Sequence, residues 1–247
     1  MARVLIVGSG LTGSVVKHYL CGWLAGAAAH QNAWSITTWE AESASGGRMQ
    51  NDFFIGPHRC DLGAQYISQN ISGELQYYDI YDFLRDEGSF SLLKNNALVS
   101  GMRPEHQDGQ HFIATSGTSN IPTALAPQTN IQFEKKLVSL AYDEGTSKLL
   151  ATAENNDVAQ AFDAIVLTMP TPQLLQVLHP VAEQPTKLLP NSLLERLQRV
   201  RYSSRCDITN LFTSLVNSPS LDVVLIQIRS CSVLRATISR RQAQRAR

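Results

Sequence analysis

The chain has 247 residues, 43% of them hydrophobic, and balances 21 basic against 21 acidic side chains, so it can bury a sizeable core in one or two domains and carries no net charge to draw it to nucleic acid. No run approaches the roughly 18 apolar residues of a membrane span, and a fold-forming strand begins almost at the first residue, so a cytoplasmic protein is expected, with unconventional secretion left open. The four cysteines, Cys21, Cys60, Cys206 and Cys231, lie apart with no C-x-x-C pair, and the six histidines show no metal-ligand spacing; free thiols and no metal site are expected.

The first predicted element is an apolar strand, Arg3-Val4-Leu5-Ile6-Val7, which runs straight into Gly8-Ser9-Gly10-Leu11-Thr12-Gly13. A strand followed at once by G-x-G-x-x-G is a dinucleotide-binding signature. Gly8 permits the tight turn, Gly10 lets the backbone approach a pyrophosphate, and Gly13 lets the next helix pack close with its N-terminal amides facing the anion. Leu11 and Thr12 open that helix, predicted over residues 11–29, and the Thr12 hydroxyl is placed either to cap it or to touch phosphate. A second strand, 34–39, ends at Glu40, where a carboxylate can accept hydrogen bonds from the hydroxyls of an adenosine ribose; the plainer reading is a solvated strand-end charge. The spacing from Gly13 to Glu40 is longer than usual, and the excess is assigned to a loop of small and polar residues at 25–33.

Gly46-Gly47-Arg48-Met49 comes next, and Asp61-Leu62-Gly63-Ala64-Gln65-Tyr66-Ile67 after it. Paired glycines again allow close backbone approach, and the Arg48 guanidinium is a planar fork suited to phosphate oxygens, although it also reads as a surface charge. A nicotinamide-dependent Rossmann protein, the competing reading, has no need of this second clamp. The arrangement resembles the flavin-containing amine oxidase superfamily, in which G-x-G-x-x-G, a strand-end acid and G-G-R together bind FAD. Asp61 to Ile67, together with Val4-Leu5-Ile6-Val7-Gly8, Ile165-Val166-Leu167-Thr168-Met169-Pro170 and Tyr202-Ser203-Ser204-Arg205, narrows the resemblance to the renalase family. The resemblance implies non-covalent FAD held by Gly8, Gly10, Leu11, Thr12, Gly13, Glu40, Gly47, Arg48 and Met49. It places Gly63, Ala64, Gln65 and Tyr66 near the flavin, with Tyr66 equally readable as a packed aromatic, and Val138 where backbone meets adenine, with a core valine as the alternative.

Further along, a helix is predicted over 73–87 with Leu75, Tyr78, Tyr81 and Leu84 on one stripe, then strands at 90–93 and 110–114. Ser119-Asn120-Ile121-Pro122 opens a short helix with polar residues available as caps. Strands at 130–133, 137–142, 148–153 and 159–168 follow, then helices at 174–178 and 193–200 and a strand at 201–212. The resemblance ends near Thr213; beyond it lie a strand-like run, 221–228, and a tail bearing Arg229, Arg235, Arg240, Arg241, Arg245 and Arg247 without an acidic residue. That tail reads either as an anion-binding segment or as a divergent terminus with no selected role.

The implied fold is α/β: a Rossmann-type FAD-binding domain, of the glutathione-reductase and amine-oxidase kind, in segments 1–88 and 129–172. An interleaved, incomplete α+β substrate domain occupies 89–128 and 173–212, before the divergent basic tail at 213–247. The resemblance also implies an oxidase that takes hydride from dihydronicotinamide isomers of NAD(P)H, or oxidises amines, and reduces O2 to H2O2. No side chain is assigned as catalytic, because a donor that becomes aromatic on oxidation requires no acid or base. The alternative is a truncated, non-catalytic form that binds nucleotide weakly or engages a protein partner through the unfinished substrate domain.

Overall fold

The structure is a computed structural model that describes residues 2–26, 34–50, 52–55, 58–61, 64, 66–69, 78–93, 110–155, 158–182 and 190–202. Gly63, Gln65, most of the 25–33 loop, the start of the 73–87 helix, the 201–212 strand beyond Tyr202, the 221–228 run and the 213–247 tail lie outside the described residues. In chain order the elements are β1 (Ala2–Val7), α1 (Leu11–Gly26), β2 (Trp34–Trp39), β3 (Asp52–Ile55), β4 (His58–Asp61), β5 (Ile67–Gln69), α2 (Tyr78–Asp86), β6 (Phe90–Leu92) and β7 (Gln110–Ala114). There follow α3 (Asn120–Leu125), β8 (Ile131–Gln132), β9 (Leu137–Asp143), β10 (Lys148–Ala153), β11 (Gln160–Phe162), β12 (Ala164–Leu167), α4 (Thr171–Ala182) and α5 (Asn191–Gln198).

Four strands form a parallel sheet in the order β12-β1-β2-β8. Val4 to Val7 of β1 are all buried, as a central parallel strand covered on both faces requires. Alternation along the strand sends them to two different cores. Val4 and Ile6, with Ile36, meet Val16, Leu20, Cys21 and Leu24 of α1. Leu5 and Val7, with Trp39, meet Leu140 of β9, Ala151 of β10, Phe162 of β11 and Val177 of α4 on the other face. That second cover is the small antiparallel sheet β11-β10-β9 together with α4.

The strand expected over 159–168 is two strands, and Asp163 is the reason. Its carboxylate accepts the Arg3 N–H at 2.7 Å and its own N–H donates to the Arg3 carbonyl at 2.8 Å, so it hands the chain from antiparallel pairing with β10 to parallel pairing with β1. The strands β3 and β4 pair as an antiparallel hairpin that the residue pattern marks only by Gly56-Pro57, a turn signal between them.

A second layer is built from β5-β7-β6 with α2 and α3 on one face, around Met49, Ile80, Leu84, Phe90, Phe112, Ile121 and Leu125. Strand β5 and helix α2 precede the division expected at residue 88 yet pack with β6 and β7, because Ile67 pairs across from Phe112 and Leu84 fills the core beside it. Helix α1 is tied to this layer by two side chains. The buried Lys17 amine donates to the Thr129 carbonyl at 2.6 Å, and His18 Nδ1 donates to the Leu125 carbonyl at 2.8 Å. Burial pushes the Lys17 amine below the usual lysine range, an effect that the Cys21 thiol opposes. The cap expected of Ser119 is not made by its side chain; Asp61 Oδ1 instead accepts the N–H and hydroxyl of Thr118, one residue before it, at 3.0 and 3.2 Å.

Candidate functional site

The site collects at the carboxyl ends of β1, β2 and β12, the edge of an open parallel sheet where ligands bind. Gly8 turns the chain with φ of +101°, its N–H donating to the Trp39 carbonyl at 2.8 Å. A Cβ on Gly13 would lie 1.9 Å from the Gly8 carbonyl oxygen, so the first turn of α1 packs directly on the loop and admits no side chain there. The Thr168 hydroxyl also backs the turn: it donates to the Val7 carbonyl at 2.7 Å and would stand 2.6 Å from a Cβ on Gly8. Leu11 and Thr12 are exposed in the first turn of α1, which carries no acidic residue. The first amides of a helix have no intrahelical acceptor, so this end presents donors and a positive dipole outward.

The second glycine pair lies against the first. Gly10 and Gly46 form a parallel β-bridge, the Gly46 N–H donates to the Ser9 carbonyl at 3.2 Å, and a Cβ on Gly47 would come within 3.4 Å of Gly10 Cα. Gly46 and Gly47 both have positive φ, 139° and 54°, as the crossing demands. Arg48 is exposed on the 3-10 turn Gly47–Met49, while Met49 points its side chain into the second core beside Phe112. Met49 can therefore offer a ligand only its backbone. Its carbonyl accepts the Thr118 hydroxyl at 3.4 Å, which links the clamp to Asp61.

Glu40 is 6% exposed, which removes the reading of a solvated strand-end charge. Its Oε2 accepts both the Ser9 N–H at 2.6 Å and the Ser9 hydroxyl at 2.7 Å, and its Oε1 accepts the Glu42 N–H at 3.1 Å. A carboxylate has about four acceptor positions; three are taken, and the one left is on Oε1. The expectation of two ribose hydroxyls bonded to this group thus meets a carboxylate with room for one. Ser9 carries no signal of its own in the sequence, since any small residue satisfies the glycine motif at that place.

Val138 is 41% exposed and is not a core valine. The β9–β10 register steps from Thr152↔Ser139 to Ala153↔Leu137, so Val138 is a bulge residue without a ladder partner. Ala64 and Tyr66 are partly buried, and the Tyr66 ring stands edge-on to His111 at 5.5 Å. Tyr202, at the end of the described chain, accepts the Thr171 N–H at the start of α4 and donates to the Thr171 hydroxyl, at 2.9 and 3.1 Å. Hydrogen bonding with the Thr171 side chain and backbone, with the Arg48 charge nearby, holds its phenol below the usual tyrosine range. Among the described residues no group of three or more His, Cys, Asp or Glu is placed to hold a metal ion, and no helix is long and apolar enough to cross a membrane.

These parts could hold a dinucleotide cofactor: two glycine loops in backbone contact, a helix N-terminus and a guanidinium for phosphate, one acceptor for ribose, and an exposed bulge residue for a base. Comparison with known proteins bears on which one. The profile of flavin containing amine oxidoreductases matches residues 88–212, half of the chain, and that of NAD(P)-binding Rossmann-like domains matches residues 6–85. Mouse (Mus musculus) renalase is 29% identical over 209 residues, which cover 83% of this chain and 56% of that protein, so the chain spans a little over half the length of this relative. The crystal structure of a protein assigned as a protoporphyrinogen oxidase, from Exiguobacterium, superposes with a TM-score of 0.51 at 13% identity, over 80% of this chain and 63% of that one, a likeness of fold.

Proposed function

Because the chain belongs to the flavin containing amine oxidoreductases, a family matched over residues 88–212, we propose that its crevice holds FAD non-covalently and that it works as a renalase-like oxidoreductase. The observation that carries this reading is the Gly10–Gly46 bridge. It joins two phosphate-approaching loops into one backbone surface, with the Arg48 fork beside it, and a nicotinamide dinucleotide has no use for the second loop. In this assignment Gly8, Gly10, Leu11, Thr12, Gly13, Gly47 and Arg48, with the Met49 backbone, cradle the pyrophosphate. Glu40 takes one ribose hydroxyl on Oε1, and the Val138 backbone meets the adenine. Ala64 and Tyr66 line the flavin end, where the resemblance also puts Gly63 and Gln65.

Bound flavin would supply a two-electron acceptor for a dihydronicotinamide or amine donor, with O2 as the final oxidant and H2O2 as product. The protein's part is to bind, orient and screen. The α1 N-terminus and Arg48 neutralise the diphosphate, and hydrogen bonds from Ser9 and Glu42 hold the Glu40 carboxyl in place. Donor recognition falls to the second layer, where β5-β7-β6 adjoins Tyr66.

A visible absorption spectrum of the purified chain, taken before and after adding FAD and desalting, tests the reading. A retained flavin band supports it, and peroxide release on dihydronicotinamide isomers against amines then separates the two donor classes. Tight NAD(P) binding with no flavin would overturn it. A chain that stays colourless would also overturn it, leaving a nucleotide-binding protein that acts through a partner.

A further inference from the structure

One polar pair in the second layer, a buried histidine and a half-buried serine, is not used by the cofactor crevice. Ser68 and His111 are directly opposite each other in the β5–β7 register, and Ser68 Oγ and His111 Nδ1 share a hydrogen bond of 2.9 Å whose direction follows the imidazole tautomer. His111 is 1% exposed. Its ring meets the Tyr66 ring edge-on, with centroids 5.5 Å apart and planes at 86°, the geometry that aromatic quadrupoles favour. Strand alternation puts Ser68 and His111 on the face opposite Ile67 and Phe112. Helices α2 and α3 cover the Phe112 face, so Ser68, His111 and Tyr66 lie on the face of the sheet opposite those two helices. A buried imidazole is a costly way to fill space, and a hydrophobic residue would pack there without needing a partner.

We propose that Ser68 and His111 are a positioning pair for Tyr66: Ser68 fixes the imidazole, and the imidazole fixes the phenol ring where it borders the reacting end of the cofactor. This rests on the flavin reading for its consequence, but not for its geometry. The pair acts through Tyr66 and touches no reactant itself.

Two measurements test it on the full chain. In the protein as purified, the His111 imidazole resonances in NMR should shift on Tyr66→Leu, through loss of the ring current, and change tautomer balance on Ser68→Ala; an imidazole indifferent to both overturns the proposal. In the FAD-loaded protein, Ser68→Ala should change the visible circular dichroism of the flavin in the same sense as Tyr66→Leu. It should also lower kcat/KM by roughly tenfold while leaving FAD affinity unchanged, as a misplaced contact does. The double variant should add nothing to Tyr66→Leu. Additive effects, or a loss confined to thermal stability, would reduce the pair to packing and overturn the proposal. His111→Asn, which keeps a hydrogen-bonding group near Nδ1 but removes the ring, should change the flavin circular dichroism as Tyr66→Leu does; an unchanged signal would overturn the proposal. Failure to take up FAD would sink the flavin reading alone, since the imidazole spectrum decides the geometry without it.

Discussion

The glycine crevice and the β5-β7-β6 layer solve the same problem, holding a few groups still, by opposite means. In the crevice the essential feature is missing atoms: Gly13 has no Cβ because the Gly8 carbonyl is 1.9 Å from where it would be, and Gly10 and Gly47 meet backbone to backbone. In the layer the essential feature is filled volume and cross-strand pairing, with Phe90 stacked on Phe112 and Ser68 paired with His111. A site made of absences tolerates almost no addition, whereas a site made of packed side chains tolerates almost no removal.

The largest effect should come from emptying the layer. Phe112→Ala removes a fully buried ring from the centre of the second core and is expected to cost about 3–5 kcal/mol in chemical denaturation. A loss below about 1 kcal/mol would show that the layer is not a cooperative core. Filling the crevice comes next. Gly13→Ala should cost about 1–3 kcal/mol and abolish nucleotide binding by titration calorimetry, whereas Gly22→Ala, on the same helix with nothing within 4 Å, should stabilise by about 0.4–1 kcal/mol. Equal responses from the two glycines would break the contrast.

Ser9→Ala tests a place where the crevice relies on a side chain. Removing a hydroxyl bonded to a buried carboxylate should cost about 1.5–3 kcal/mol and weaken ADP binding, and FMN, which lacks the adenosine, should be unaffected. The smallest effect concerns pH. Asp163 is held below the usual carboxylate range by the Lys148 amine, then by the Arg3 N–H. A carboxyl depressed in the folded state stabilises fully above its unfolded pKa and loses that contribution as pH falls through its lower folded value. Asp163→Asn should therefore flatten the acid limb of the stability profile slightly below about pH 4 and leave neutral pH nearly unchanged, since the ion pair is on the surface.

Much of the crevice was legible because its determinants are local. Gly8, Gly10 and Gly13 sit within six residues of a strand end, and β2, β7 and β10 begin and end where the residue pattern puts them. Glu40 was legible as a carboxylate at a strand end, but not as one already engaged by Ser9, because that contact depends on β1 and β2 lying side by side. Met49 reads identically in sequence whether it faces ligand or core; only the packing of Phe112 and Leu84 around it sends it inward. The Val138 bulge has no sequence marker, since a bulge is a property of two strands in register.

The sequence by itself determined the turns, the apolar strands and the glycine positions, because each is dictated by sterics and periodicity within a dozen residues. The tertiary structure alone decided that the two glycine loops touch, that 159–168 is shared between two sheets, and that Ser68 meets His111. Those contacts join residues 36, 160 and 43 positions apart in the chain, as in Gly10 to Gly46, Arg3 to Asp163 and Ser68 to His111. Pairings of that reach are set by the burial of the whole chain, and no short stretch encodes them.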